Sequence, residues 1–307
     1  MAREMPKWRI LKIGGADVFV RQTLLVMAAL LILVFSPQFT LLHEGNGLFV
    51  ATLFVIVLYL SILMHEFGHL LIARIFGFHV PTIELHLMGG HTIIEGRSKY
   101  ASQEFLIAFI GPLMSAAIGS TLLLAQPMVS GYWSTLFWSI GVINLFLAFF
   151  NVLPSAPLDG GRMVRAVAWA LTRSEITGIK VATFTGRVTA VALALAAPFL
   201  VNFSDRFDIF RLLILWFLAA YLWRSSGIAQ VYDLRSARIS TLSAKDLMKA
   251  PELAHTAVRI SAELRGAQLL KAMAENPAPI YALVDPEGRA IGSLLAEDVD
   301  RAYLEAT

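Results

Sequence analysis

Cysteine is absent from all 307 residues, which excludes a disulfide framework, a thiolate metal site and a cysteine nucleophile. Any metal must therefore be held by His, Asp or Glu. Charge is also scarce: 15% of residues are charged against 57% hydrophobic, with a mean hydropathy of +0.68. That composition is foreign to a soluble domain and usual for a membrane protein. The net charge of +3 is too small to argue for nucleic acid as a partner. The charges are also unevenly placed, because the last 83 residues alone hold 9 Lys or Arg and 11 Asp or Glu. A hydrophobic body carries a soluble tail.

Uncharged runs locate the membrane crossings, each of which needs about 20 apolar residues. Residues 22–43 and 45–64 contain no charge, and none occurs from Phe105 to Leu158. The latter run accommodates helices near 105–126 and 132–153, separated by a turn at Gln126-Pro127 and Gly131. Two further candidates near 181–203 and 207–226 are interrupted by Arg187 and Arg211. The expected fold is a polytopic α-helical membrane protein of about six transmembrane helices. Basic residues gather in the N-terminal segment (Arg3, Lys7, Arg9, Lys12, Arg21), the second connection (Arg74, Arg97, Lys99) and the fourth (Arg162, Arg165, Arg173, Lys180). The opposite side has little beyond Arg206 and Arg211. Positive residues favour cytoplasmic loops, so both termini are expected in the cytoplasm and the first span is read as retained, most simply in the cell membrane.

The connection at 78–98 alternates apolar residues with Thr, Glu and His and breaks at Gly89-Gly90, the pattern of a short membrane-associated β-hairpin. Beyond Arg224 the pattern becomes that of a small α/β unit. It contains a helical stretch at 261–275, the strand IYALVD, a turn at Pro286-Glu287-Gly288, the strand AIGSLL and a helix from Glu297. The expected division is a transmembrane domain over 1–226, a linker over 227–240 and a soluble domain over 241–307.

The second span ends in LMHEFGHLLIARIFG. His65 and His69 are four residues apart, so a helix stacks both imidazoles on one face, where they can share a Zn²⁺ with Glu66 beside them to handle the protons of a water. The nine residues from His65 to Arg74 span about 13 Å of helix. The motif thus falls inside the hydrocarbon zone, where ionisable groups by default mark function. Catalytic zinc commonly takes three protein ligands. The candidate third is Asp159 in NVLPSAPLDGGR, the first acid after Glu104. Pro154 and Pro157 break the helix ahead of it, and Gly160-Gly161 are expected to loosen the chain behind it, leaving non-helical backbone around a protein-lined cavity. Asn151 is placed to hydrogen-bond a developing oxyanion or the substrate backbone. Asn144, on the same helix face, is equally well read as interhelical glue. His79, His86 and His91 of the loop are weaker candidates for extra ligands.

HEFGH in a second span together with NVLPSAPLDGG at the end of a fourth resembles the site-2 protease family of intramembrane zinc metalloproteases, whose patterns are HExxH and Asn-x-x-Pro-x-x-x-Leu-Asp-Gly. Both patterns match in full. Gly111, Ser115 and Gly119 resemble the family's small-residue run in the third span, and Gly89-Gly90 its membrane-associated β-loop. The resemblance covers roughly residues 20–226. It implies that His65, His69 and Asp159 hold one zinc, that Glu66 is the general base, and that the substrate is the membrane-spanning segment of another protein. The tail near 241–305 resembles one cystathionine-β-synthase (CBS) motif, through AKDLM, the turn Asp285-Pro286-Glu287-Gly288, and Gly292 with Asp298. It implies an adenine nucleotide whose ribose meets Asp298, although Leu295 stands where that pattern has Thr. It also implies a homodimer, since such motifs normally pack in pairs.

Other intramembrane chemistries fit less well. There is no Gly-x-Ser-x-Gly elbow, and an aspartyl dyad needs a second acid in the spans. A divalent-metal transporter regulated by its tail, or a catalytically inactive substrate-binding relative, stays open at this point. Glu66 is the discriminating residue, because a hydrolase needs a non-ligating carboxylate beside the metal and a transport site gains little from one.

Overall fold

A computed structural model describes residues 7–42, 46–86, 89–96, 98–201, 206–239, 242–249 and 257–306. The chain divides into two compact units, 1–226 and 227–307.

Six helices among the described residues are long and apolar enough to cross a membrane. These are α1 (Gln22–Leu42), α2 (Gly47–Ile75), α3 (Ala101–Ala125, extended by a 3-10 turn to Met128), α4 (Tyr132–Val152), α6 (Glu175–Ala196, continued by a 3-10 turn to Leu200) and α7 (Arg206–Ile239). The protein is thus a multi-pass integral membrane protein. Large apolar side chains such as Leu33, Phe149, Phe184 and Phe217 are about 70% exposed, as lipid-facing surface requires. Lipid is as apolar as Leu, so close approach of small residues, rather than hydrophobic exclusion, holds helices together there. A Cβ on Gly119 of α3 would sit 2.8 Å from the Gly141 carbonyl of α4, a backbone contact that only glycine allows. α2 is the buried centre of the bundle. Val50, Phe54, Val55 and Leu58 of α2 pack with Phe39 of α1 and with Leu136 and Ile140 of α4.

The β-structure is larger than the expected hairpin. β1 (Lys7–Ile13) and β2 (Ala16–Arg21) form a hairpin through Gly14 and Gly15, both at positive φ, and β2 pairs in parallel with β3 (His79–His86). β3 pairs in turn with β4 (Gly89–Glu95), giving the order β1-β2-β3-β4. The N-terminal segment, read above only as a basic flank, is half of this sheet. Its alternation ADVFVR buries Ala16, Val18 and Val20 against Leu63, Leu70 and Ala73 of α2 and Ile107 of α3. Where water is the competing solvent, each fully buried Val, Leu or Ile contributes about 1.5–3 kcal/mol. The hairpin is also fastened by charge. Glu84 of β3, with a side chain 8% exposed, accepts from Lys7 Nζ at 2.8 Å and from Arg21 at 2.8 and 2.6 Å. Burial pushes the Glu84 pKa up, but the hydrogen bonds from Lys7 and Arg21 outweigh it and the net shift is downward. Docking of the hairpin is therefore favoured above the usual carboxylate range and weakens as pH falls through the lowered value.

The segment after α4 departs from expectation. Pro154 and Pro157 do end the helix, and the Ala156-Pro157 bond is cis, but Gly160-Gly161 do not loosen the chain. They lie in the first turn of α5 (Asp159–Thr172). A Cβ on Gly160 would fall 2.2 Å from the Val152 carbonyl oxygen, and one on Gly161 2.8 Å from the Ala156 nitrogen. The glycines let α5 lie directly on the end of α4, which places Asp159 at a helix start.

In the second unit, β5 (Val258–Ser261), β6 (Ile280–Val284) and β7 (Ala290–Leu295) form a sheet in that order, with α8 (Gly266–Glu275) and α9 (Ala296–Ala306). The helix expected from 261 begins five residues later, after a strand. Leu269, Tyr281, Leu283, Leu294 and Val299 make the core, and the buried Tyr281 hydroxyl donates to the Met273 carbonyl at 3.2 Å.

Candidate metal centre

His65 and His69 lie mid-helix in α2, one turn apart, with rings 4.9 Å between centroids and each residue no more than 5% exposed. Their outer nitrogens have fixed partners. His69 Nδ1 is 2.6 Å from the Ile107 carbonyl oxygen, an acceptor only, so Nδ1 carries a proton and Nε2 is the nitrogen left to meet a metal. His65 Nδ1 is 3.0 Å from Ser115 Oγ. Both Nε2 atoms converge on Asp159 Oδ2, at 3.1 Å from His65 and 3.3 Å from His69.

The three donor atoms lie within 4.8 Å of one another. Zinc bonds of about 2.0–2.1 Å in a tetrahedron give donor–donor edges of about 3.3 Å, close to the two distances to Asp159. Gly111 keeps the space open: a Cβ there would be 2.3 Å from His69 Nε2 and 2.6 Å from His65 Nε2. Two oriented imidazoles with a carboxylate and no side chain between them form a donor set suited to zinc. The loop histidines His79, His86 and His91 are not part of it. His86 has its pKa lowered by burial first and then by His91 and Arg21.

Glu66 is beside the donor set and 6% exposed. The start of β4 lies across the carboxylate, so that a Cβ on Gly90 would be 2.3 Å from Glu66 Cγ, and Thr92 Oγ1 donates to Glu66 Oε2 at 2.6 Å. Of the two strands that the loop suggests as an edge, 82–88 and 91–95, the first is interior, paired with β2 and β4, and its residues 87–88 lie outside the described residues. The edge belongs to β4, the strand that touches Glu66.

The remaining candidates are more occupied. Asn151 Nδ2 donates to Leu147 O of its own helix at 3.0 Å. Asn144 is fully buried; its Nδ2 donates to Ile140 O at 2.9 Å, while its Oδ1 has no partner among the described residues. Asp298, in the second unit, faces Lys249 Nζ at 2.5 Å beside a cavity of about 350 Å³. A further buried acid belongs to the first unit. Glu104, in the first turn of α3, accepts from Arg162 Nε at 2.9 Å, Arg165 at 2.6 Å and Ser98 Oγ at 2.9 Å. Its signal was present as the last acid before a long uncharged run, with two arginines soon after Asp159.

Two family models match the chain, one described as peptidase M50B-like over residues 23–156 and one as peptidase family M50 over residues 125–195. The protein sll0528 of Synechocystis is 31% identical over 199 residues, 64% of this chain and 52% of that protein. The zinc metalloprotease MJ0392 of Methanocaldococcus jannaschii is 28% identical over 208 residues, 66% of this chain and 57% of that one. The chain thus spans about half the length of these relatives. A solved structure, the site-2 protease from Methanocaldococcus jannaschii, shares the fold with a TM-score of 0.51 at 23% identity, covering 73% of this chain and 95% of that one.

Proposed function

We propose, from the match of residues 23–195 to two M50 peptidase models, that this chain is an intramembrane zinc endopeptidase that cleaves the transmembrane segment of another protein. The observation that carries the reading is the arrangement of the donors. Two imidazoles with their Nδ1 atoms engaged aim Nε2 at one carboxylate, and a fourth ionisable group, Glu66, stands beside them without joining the set.

His65, His69 and Asp159 would hold the zinc, which when bound supplies the Lewis acidity that acidifies a water and polarises the scissile carbonyl. Glu66 would accept a proton from the attacking water as the water oxygen bonds to the carbonyl carbon. It returns the proton to the amide nitrogen as the carbon–nitrogen bond breaks. Asn151, the penultimate residue of α4, is the candidate to steady the oxyanion or the substrate backbone once it exchanges its own-helix bond for one to substrate. A helical substrate shields its peptide bonds, so it must be extended first. The open edge of β4 offers backbone partners for that form directly above Glu66.

The protease domain comprises residues 1–226, the linker 227–240 and a CBS-like regulatory domain 241–307. The basic loops put both termini in the cytoplasm and the protein in the cell membrane. A single motif of about 65 residues has a meagre core, and pairing with a second copy about a twofold axis covers the shared face, giving a homodimer whose cytoplasmic domains sense a ligand. For an adenine nucleotide to use Asp298, it must displace Lys249.

The test is metal content and in vitro cleavage of single-span membrane proteins. His65→Ala, His69→Ala and Asp159→Ala should lose both. Metal flux into liposomes abolished by the same changes, without any cleavage by the wild type, would make the site a transporter's. Dimerisation is tested by the mass of the detergent-solubilised chain with and without residues 236–307; a full-length monomer at micromolar concentration contradicts it.

A further inference from the structure

The three metal-facing side chains come from two segments far apart in the chain, α2 and the start of α5, and one face of α3 addresses the two histidines directly. Glu104, Ile107, Gly111 and Ser115 are all buried at helical spacing on that face. Ser115 meets His65 Nδ1, the Ile107 carbonyl meets His69 Nδ1, and Gly111 leaves room for the two Nε2 atoms. Asp159 has no such direct contact. Its helix is instead gripped three and six residues further on, where Arg162 and Arg165 both close on the Glu104 carboxylate.

We infer that Glu104 is a positioning residue for the metal site, holding Asp159 against the two histidines by clamping Arg162 and Arg165 of α5 to the start of α3. The side chain is 6% exposed and all three donors to it lie within 3 Å. A buried carboxylate of this kind persists only while paired, so α5 cannot slide along α3 without stranding the charge. The start of α5 is also held by backbone packing at Gly160 and Gly161, which fixes its distance from α4. The Glu104 clamp fixes its placement along α3, the helix to which the histidines are keyed. The inference rests on the zinc reading above.

The experiment is a zinc titration of the detergent-solubilised full-length chain against a chromophoric competitor, with folding followed by circular dichroism. Wild type should take up one zinc per chain and His65→Ala should not. If wild type fails to bind, or His65→Ala binds equally, the metal-site reading itself is wrong. Given a binding wild type, Glu104→Gln should remain folded and bind zinc about 10–100-fold more weakly, the usual cost of losing a group that orients a ligand. In an Asp159→Asn background the same change should have no further effect, because the ligand it positions is gone. Glu84→Gln, which breaks the buried ion cluster on β3 without touching α5, should bind as wild type does. Unchanged affinity in Glu104→Gln, or an equal loss in the Asp159→Asn background, overturns the inference. Should Glu104→Gln not fold, Arg165→Lys, which keeps the charge but loses the guanidinium reach, is expected to show the same affinity loss and the same dependence on Asp159.

Discussion

The membrane unit and the tail treat their buried polar groups in opposite ways. In the membrane unit the polar side chains are few, and those at the centre point inward at one spot: two imidazoles, Asp159 and Glu66, keyed by Ser115, Ile107 O and Thr92. In the tail the polar candidates close on one another. Asp285 accepts from the Arg289 backbone at 2.8 Å and its side chain at 2.9 Å to finish the turn before β7, and Asp298 faces Lys249. Lipid makes an unpaired charge so costly that a cluster held there must serve a purpose, whereas a water-exposed domain forms ion pairs at little cost and with little meaning. The difference teaches that the same residue types carry more functional information inside the bilayer than outside it.

The largest effect expected from sharpening that contrast is at Gly111. Gly111→Ala adds one methyl 2.3 Å from His69 Nε2, and metal affinity should fall by about 100-fold, the upper end for a disturbed ligand shell. Competition titration checks it, and wild-type affinity would mean that the glycine face of α3 is packing alone. A smaller effect is expected at Thr92. Its hydrogen bond to a charged carboxylate is worth about 1.5–3 kcal/mol, so Thr92→Val should lower kcat about tenfold or more at unchanged zinc content. Thr92→Ser, which keeps the hydroxyl, should restore it. Smallest of all is Asp298→Asn in the tail. The partner Lys249 side chain is 56% exposed, and such pairs contribute about 0–1 kcal/mol, so thermal unfolding of the tail should barely shift and cleavage without added nucleotide should be unchanged. Activation by adenine nucleotides that Asp298→Asn abolishes would give this residue the binding role its motif implies.

Much of the membrane unit was legible because a bilayer demands long uncharged helices, and because His65, His69 and Asp159 are costly where they stand. The edges were less so. α2 and α3 run past the uncharged windows, since Glu66, Arg74 and Glu104 all find partners inside the fold. The N-terminal hairpin is hard to read from sequence because four basic residues dominate its composition, masking the alternation of Ala16, Val18 and Val20. The loop after α4 was read as loose because Gly160-Gly161 was taken for freedom, whereas the glycines permit contact with the backbone at Val152 and Ala156. Neither the Thr92 contact with Glu66 nor the Glu104 clamp on Arg162 and Arg165 could be read from spacing. Each joins elements whose relative placement only the folded chain sets. In the tail the strands and turn were readable from Asp285-Pro286-Glu287-Gly288, but the two family matches end at residue 195, and the role of that unit rests on its short motif.

The measurement that tests the central claim most directly compares wild type with Glu66→Gln for zinc content and for cleavage of a single-span membrane protein in the same detergent. Both proteins should carry one zinc per chain, since Glu66 lies outside the donor set. Cleavage should fall by about 10²–10⁴-fold in the variant, the contribution of a positioned general base. Normal cleavage by Glu66→Gln, or a wild type that cleaves without metal, would contradict the account.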